Sequence, residues 1–196
     1  MTVIQLKESY IKSMKRELRG QCSAGSVHLT EAIARACGYS TNAALLADLN
    51  GQAEGRYLRF DEDAFRMRLL DFNGTAPEKI ELPELGRLAR YVESLFDDTA
   101  LGIIEMHPMR ARFRLGGIDT VVQIDLVQIG NGNVQFRRSH AIHTPTQAGP
   151  YWPGRDFDDD PAYAMHRAIE SIVDYYRQAI GEGYRPDPKW LVKSRY

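Results

Sequence analysis

The 196-residue chain predicts an α+β fold: an N-terminal three-helix unit followed by an α-β-β-β-α domain whose strands form an antiparallel meander. Three observations carry that prediction. Apolar residues recur at helical spacing over the first 50 residues and again near residues 85–96 and 165–180. Between the last two stretches, from Leu101 to His143, the apolar period drops to two, the signature of half-buried strands. Gly116-Gly117 and Asn131-Gly132 interrupt that alternation where hairpins would turn.

In the first unit, 1–52, Ile4, Ile11, Met14 and Leu18 fall near one face of a helix closed by Gly20. Leu29, Ile33, Ala34 and Cys37 stripe a second helix, for which Gly38 is a left-handed cap. Ser40 or Thr41 can cap a third helix through Leu49, ended by Asn50-Gly51. A connector, 53–83, has room for a short strand at Tyr57–Phe60 and for a helix capped by Asp61 or Asp63, with Phe65, Leu69 and Phe72 inward. The α-β-β-β-α domain, 84–183, opens on a helix with Leu85, Leu88, Ala89, Val92, Leu95 and Phe96 on one stripe. Its strands centre on Met109–Leu115, Val122–Leu126 and Val134–Phe136. Its last helix starts at Pro161, with the preceding aspartates placed to cap it and to complement its dipole, and ends at Gly181 or Gly183. Residues 184–196, holding Pro186, Pro188 and Trp190, read as an irregular C-terminal strap.

Composition narrows the function. At 43% hydrophobic and 26% charged the chain can bury a core, which excludes collagen-like, low-complexity and wholly disordered classes. Twenty-five basic against 26 acidic residues leave a net charge of −1, so any polyanion contact must come from a local patch. The longest uncharged apolar run, Ala43–Ala47, is far below the ~20 residues of a membrane span. Lysines, arginines and glutamates stud the N-terminus where an export signal needs apolar chain, so a cytosolic protein is expected. Cys22 and Cys37 are too few for a disulfide framework or a four-thiolate zinc site.

The sharpest local feature is Arg110, Arg112 and Arg114 at alternate positions, which puts three guanidinium groups on one face of one strand about 6.5 Å apart. With Gln123 or Gln128 and Arg137 or Arg138 on neighbouring strands, that face would bind phosphates or acidic side chains. The competing reading is a solvated outer face whose arginines pair with Glu105 and Asp125 across strands. Glu105, His107, His140 and His143 invite a metal reading, but positions 140 and 143 face opposite ways on a regular strand, so no three ligands converge and no metal or other cofactor is expected.

Residues 30–49, through Ile33, Ala34, Cys37, Gly38 and Tyr39, resemble the helix-turn-helix of bacterial transcription regulators, which implies DNA contact by Ser40, Thr41 and Asn42. The would-be recognition helix, however, holds no Lys or Arg. Residues 18–49, through Ser26, His28, Ala34, Gly38 and Tyr39, also resemble a short helical module of bacterial proteins labelled glyoxalase-related, without the tryptophan that often follows the turn. The order helix, three strands, helix is similar to the double-stranded-RNA-binding fold, but Asp158, Asp159 and Asp160 stand where that family carries lysines.

Together these readings point to a non-enzymatic bacterial binding or accessory protein. By association with regulator-like modules, it would belong to a plasmid or phage and meet an acidic partner, nucleic acid or protein, through Arg110, Arg112, Arg114, Arg137 and Arg138. The alternatives are a helix-turn-helix regulator and a metal-dependent enzyme with its His and Glu residues on the sheet. Self-association through Leu45, Leu46 and Leu49, or through Trp152 and Trp190, is a further expectation.

Overall fold

Thr2, Val3 and Ile4 open the chain with β-branched residues, which suit extended backbone, and Thr2–Leu6 forms strand β1. Ile4 therefore lies on a strand, not on the first helix where its spacing from Ile11 suggested. Helix α1 starts only at Glu8 (Glu8–Gln21). Helices α2 (Ser26–Ala36) and α3 (Asn42–Gly51) follow, separated by a turn in which Gly38 takes the left-handed φ of 85°. Strand β2 (Arg56–Phe60) runs antiparallel to β1. Helix α4 (Glu62–Leu70) is capped by the Asp61 carboxylate, which accepts from the Ala64 N–H.

The structure, a computed structural model, describes residues 2–51, 55–83, 85 and 88–194, and its chain divides into two units, 1–89 and 90–196. The expected boundaries at 52–53 and 83–84 fall on or beside residues outside those described. In the first unit Phe60, Phe65 and Leu69 belong to the same apolar cluster as Ile4, Leu18, Leu29, Ile33 and Leu45. Residues 56–70 are thus part of that core and not a connector beside it, because their apolar faces have no other surface on which to be buried.

Helix α5 (Leu88–Asp97), which lies in the second unit from Arg90 on, buries Val92 and Leu95; the expected inward positions Leu88 and Ala89 lie outside the described side chains. Five antiparallel strands make the main sheet in the order β3 (Leu101–His107), β4 (Arg110–Leu115), β5 (Val122–Gly130), β6 (Asn133–Arg138) and β8 (Phe157–Asp158). The three expected strands are β4, β5 and β6; β3 extends the meander on one side and β8 covers part of the other edge. The aperiodic Ile103-Ile104 pair hides β3 from a period-two reading, because Ile104 is an extra residue at a bulge and is 42% exposed.

Helix α6 (Pro161–Gly181) is capped by Asp160, whose carboxylate accepts from the N–H groups of Ala162 and Tyr163, as the aspartate run before Pro161 suggested. It buries Met165, Ile169, Ile172 and Val173, and its backbone lies against β4, β5 and β6. The Tyr176 hydroxyl donates to the Gly116 carbonyl at 2.6 Å, tying the helix to the β4–β5 turn. A short strand β7 (His140–Ile142) pairs with β9 (Leu191–Lys193), which follows a 3-10 turn at Pro188–Trp190. The tail is therefore not an irregular strap: Trp190 is buried, and its carbonyl accepts from the His143 N–H. Burial of such a ring holds the segment down. The structure is α+β, and among the described residues no helix is long and apolar enough to cross a membrane.

Candidate anion-binding site

Strand β4 alternates as its sequence demands: Ala111, Phe113 and Leu115 are buried beneath α6, and Arg110, Arg112 and Arg114 point to the outer face. Pairing then decides what those guanidiniums meet. The Ile104 bulge shifts β3 by one residue, so that Glu105 lies opposite Arg112 and His107 opposite Arg110 on the outer face. In a register without the bulge Ile104 would face Arg112 and Glu105 would point inward. Glu105 Oε2 accepts from Arg112 Nη1 at 3.4 Å, and Glu105 Oε1 contacts His107 Nε2 at 2.7 Å. The His107 hydrogen bond, ahead of Arg112, holds the Glu105 carboxyl below the usual carboxylate range.

On the other side of β4, Asp125 lies opposite Arg110 and takes its Nε at 2.7 Å on Oδ1. The second oxygen, Oδ2, accepts from Gln123 Nε2 at 2.7 Å. Arg114 Nε donates to the Asp119 carbonyl at 3.1 Å. Two of the three expected waiting cations are therefore matched by carboxylates within the unit, the pairing the competing reading expects. An incoming anion at Arg110 or Arg112 meets a carboxylate at contact distance, and a solvated pair of this kind contributes at most about 1 kcal/mol.

The β6 end of the face differs. Arg137 stands opposite Asp125, but both Asp125 oxygens turn toward Arg110 and Gln123, and Arg137 is exposed with no carboxylate bonded to it among the described residues. Strand alternation sends Arg138 to the inner face, so the two arginines grouped by the sequence reading do not share a face. Arg138 is 6% exposed. Its Nη1 donates to Ser171 Oγ at 2.8 Å and its Nη2 to the Tyr151 carbonyl at 3.2 Å, and its guanidinium lies 5.7 Å from the Trp152 ring centre. Burial lowers the Arg138 pKa, opposed by Tyr151 and Asp156. A buried guanidinium bonded only to neutral oxygens has lost hydration worth several kcal/mol without a contact ion pair to offset it.

Arg137 and Arg138 line one cleft of about 400 Å³ with Gln135, Phe136, Trp152, Pro153, Asp156 and Ser194. It opens where β6 and β8 part: β8 pairs only with Val134 and Gln135, and beyond them the Phe136 N–H still reaches the Asp156 carbonyl at 2.8 Å. Asp156 Oδ2 accepts from Gln135 Nε2 at 2.8 Å. Gln135, Trp152 and Asp156 were missed as site residues because they come from separate segments; only the exposed aromatic in a Pro/Gly-rich loop was a signal for Trp152.

A second, more polar hollow of about 570 Å³ is lined along α6 by Tyr163, His166, Arg167, Glu170 and Asp174, and by Tyr151. His166 Nδ1 is buried without a hydrogen-bond partner, and burial lowers the pKa of this residue. Burial and Asp174 raise that of Glu170, whose Oε2 accepts from Arg177 Nη1 at 2.8 Å. Among the described residues no nucleophile is hydrogen-bonded to His166. His140 is on β7, opposite Lys193, and among the described residues no three His, Cys, Asp or Glu side chains are grouped to hold a metal.

In the first unit, Thr41 Oγ1 accepts from the Ala44 N–H as the α3 cap, and the Asn42 N–H is bonded to the Glu31 carboxylate at 3.2 Å. Ser40 and Thr41 are exposed, whereas the Asn42 Oδ1 is buried without a partner. Glu31 thus occupies the positive end of α3, where a DNA phosphate would be expected to sit. Arg56 reaches Asp48 at 2.9 Å and the Tyr39 hydroxyl at 2.6 Å, and that hydroxyl also donates to Asp48. Leu45 and Leu49 face the core, leaving only Leu46 of the three leucines outward; Trp190 is likewise buried. Neither the protein-family models, nor the curated proteins, nor the solved structures compared with this chain match it.

Proposed function

We propose that the chain is a non-enzymatic binding protein whose second unit receives an anionic group of an acidic partner at the β6 end of the sheet. The observation that carries this reading is the cleft in which exposed Arg137 stands beside buried Arg138, whose guanidinium is bonded only to neutral oxygens. An anion there supplies a counter-charge to the desolvated Arg138 guanidinium, and it meets Arg137 without displacing a bonded carboxylate. Arg114, bonded to a carbonyl, then flanks the site and contributes long-range field, while Arg110 and Arg112 are largely cancelled by Asp125 and Glu105.

The helix-turn-helix reading has weaker support, because the exposed positions of α3, Ala43, Leu46, Ala47, Asn50 and Gly51, hold no cation and its N-terminus already carries Glu31. Titration with polyglutamate and with a short oligonucleotide at two salt concentrations tests the reading. Arg137→Ala is expected to weaken both ligands at least about fivefold at low salt, one charged hydrogen bond being worth ~1.5–3 kcal/mol. Unchanged affinity for both would overturn the assignment.

A further inference from the structure

Resting on the reading above, we infer that the acidic partner is a single-stranded nucleic acid whose bases stack on Trp152 and Phe157. Large aromatic rings are normally buried, yet Trp152, at the Arg137 cleft, is 44% exposed, and Phe157, next in sequence to the lining residue Asp156, is 39% exposed. Trp152 lines it directly. Phe157 is the cross-strand partner of Gln135, which lines the cleft two residues before Arg137.

Each ring is held by an arginine: Arg138 lies 5.7 Å from the Trp152 centre, and Arg155 lies 4.9 Å from the Phe157 centre. A guanidinium over one ring face fixes the plane and makes it a better platform for a flat, electron-rich base. The Gln135 amide adds a donor and acceptor at the level of the bases, although its Nε2 is engaged by Asp156.

Charge on this side suits a phosphodiester chain. The outward positions of β3 to β6 carry Arg110, Arg112, Arg114 and Arg137 against Glu105 and Asp125. Arg155 and Asp156 flank them, so cations remain in excess. An acidic peptide would use the guanidiniums and leave both rings in water. A duplex would present phosphates but keep its bases stacked on each other, out of reach of the rings. An unpaired strand carries phosphates for the cations and a flat base at every residue for the rings, and such stacking is sequence-tolerant because every base has a flat face.

The chain holds two tryptophans, and the other, Trp190, is buried away from ligand contact, so quenching of the emission by a stacked base reports on Trp152. The full chain is titrated with a 15-nucleotide oligo-dT, with a duplex of the same length, and with polyglutamate. Oligo-dT is expected to quench the emission, to bind about tenfold more tightly than the duplex, and to lose about tenfold in affinity on Trp152→Ala or Phe157→Ala while polyglutamate affinity stays within twofold. Trp152→Phe keeps a ring in place, and it should retain oligo-dT binding and lose the quench. Duplex and single strand binding alike, a quench that persists in Trp152→Phe, or ring removal without effect would overturn the inference. If polyglutamate binds through Arg137 and oligo-dT does not, the nucleic-acid assignment fails and the anion site stands; if neither binds, both fail.

Discussion

The two ends of one sheet face are built from the same residue type and do different things with it. At the β3–β5 end, Arg110 and Arg112 alternate into solvent and find Asp125 and Glu105 waiting across the strands. At the β6 end, Arg137 faces an aspartate already held by others, and Arg138 turns into the protein to meet Ser171 and the Tyr151 carbonyl. Alternation dictates where an arginine points. Register dictates whether it is neutralised, and a single extra residue at Ile104 moves Glu105 onto the arginine face.

Truncating each arginine sharpens the contrast most. Arg138→Ala leaves the Tyr151 carbonyl and Ser171 without their buried donor and removes the Trp152 contact, so urea unfolding of the second unit should show a loss of about 2–4 kcal/mol. Arg110→Ala removes an exposed pair and should cost less than about 1 kcal/mol in the same measurement. Equal losses would mean that burial does not separate the two ends.

The next largest effect comes from undoing the match. Asp125→Asn frees Arg110 while keeping the hydrogen-bonding shape, and it should raise polyanion affinity about two- to fivefold at low salt and steepen its salt dependence. An affinity that stays flat or falls would show that Asp125 does not silence this end.

A smaller effect concerns protons. His140 and His166 both have pKa values lowered by burial, so the folded state binds fewer protons than the unfolded state near their titration. Their contribution is complete above the unfolded value of about 6.5 and is lost as pH falls through the lower folded values. The thermal midpoint of the second unit should therefore drop between pH 7 and pH 5, and His166→Asn should reduce that drop. A midpoint indifferent to pH over this range contradicts the partial desolvation of both rings.

The sequence made some of this legible and hid the rest for physical reasons. Alternation in β4 exposed the arginine face, the aspartates before Pro161 marked the start of α6, and Gly38 marked the turn between α2 and α3. The β1 strand was hidden because Ile4 lies seven residues before Ile11, a spacing that mimics a helix, while its pairing with β2 is a contact across 50 residues or more. Strand β3 was hidden by the bulge that also decides the charge balance of the site. Of the cleft, Arg137, Arg138 and Trp152 were legible one by one, but not their convergence with Gln135 and Asp156, which come from separate segments.

The dependence of polyanion affinity on salt, compared between Arg137→Ala and Arg110→Ala, tests the central claim most directly. The slope of log affinity against log salt should fall by about one for Arg137→Ala and by less than a third of that for Arg110→Ala. A slope that falls equally in both variants, or only in Arg110→Ala, would place the anion on the matched end of the face and contradict the account.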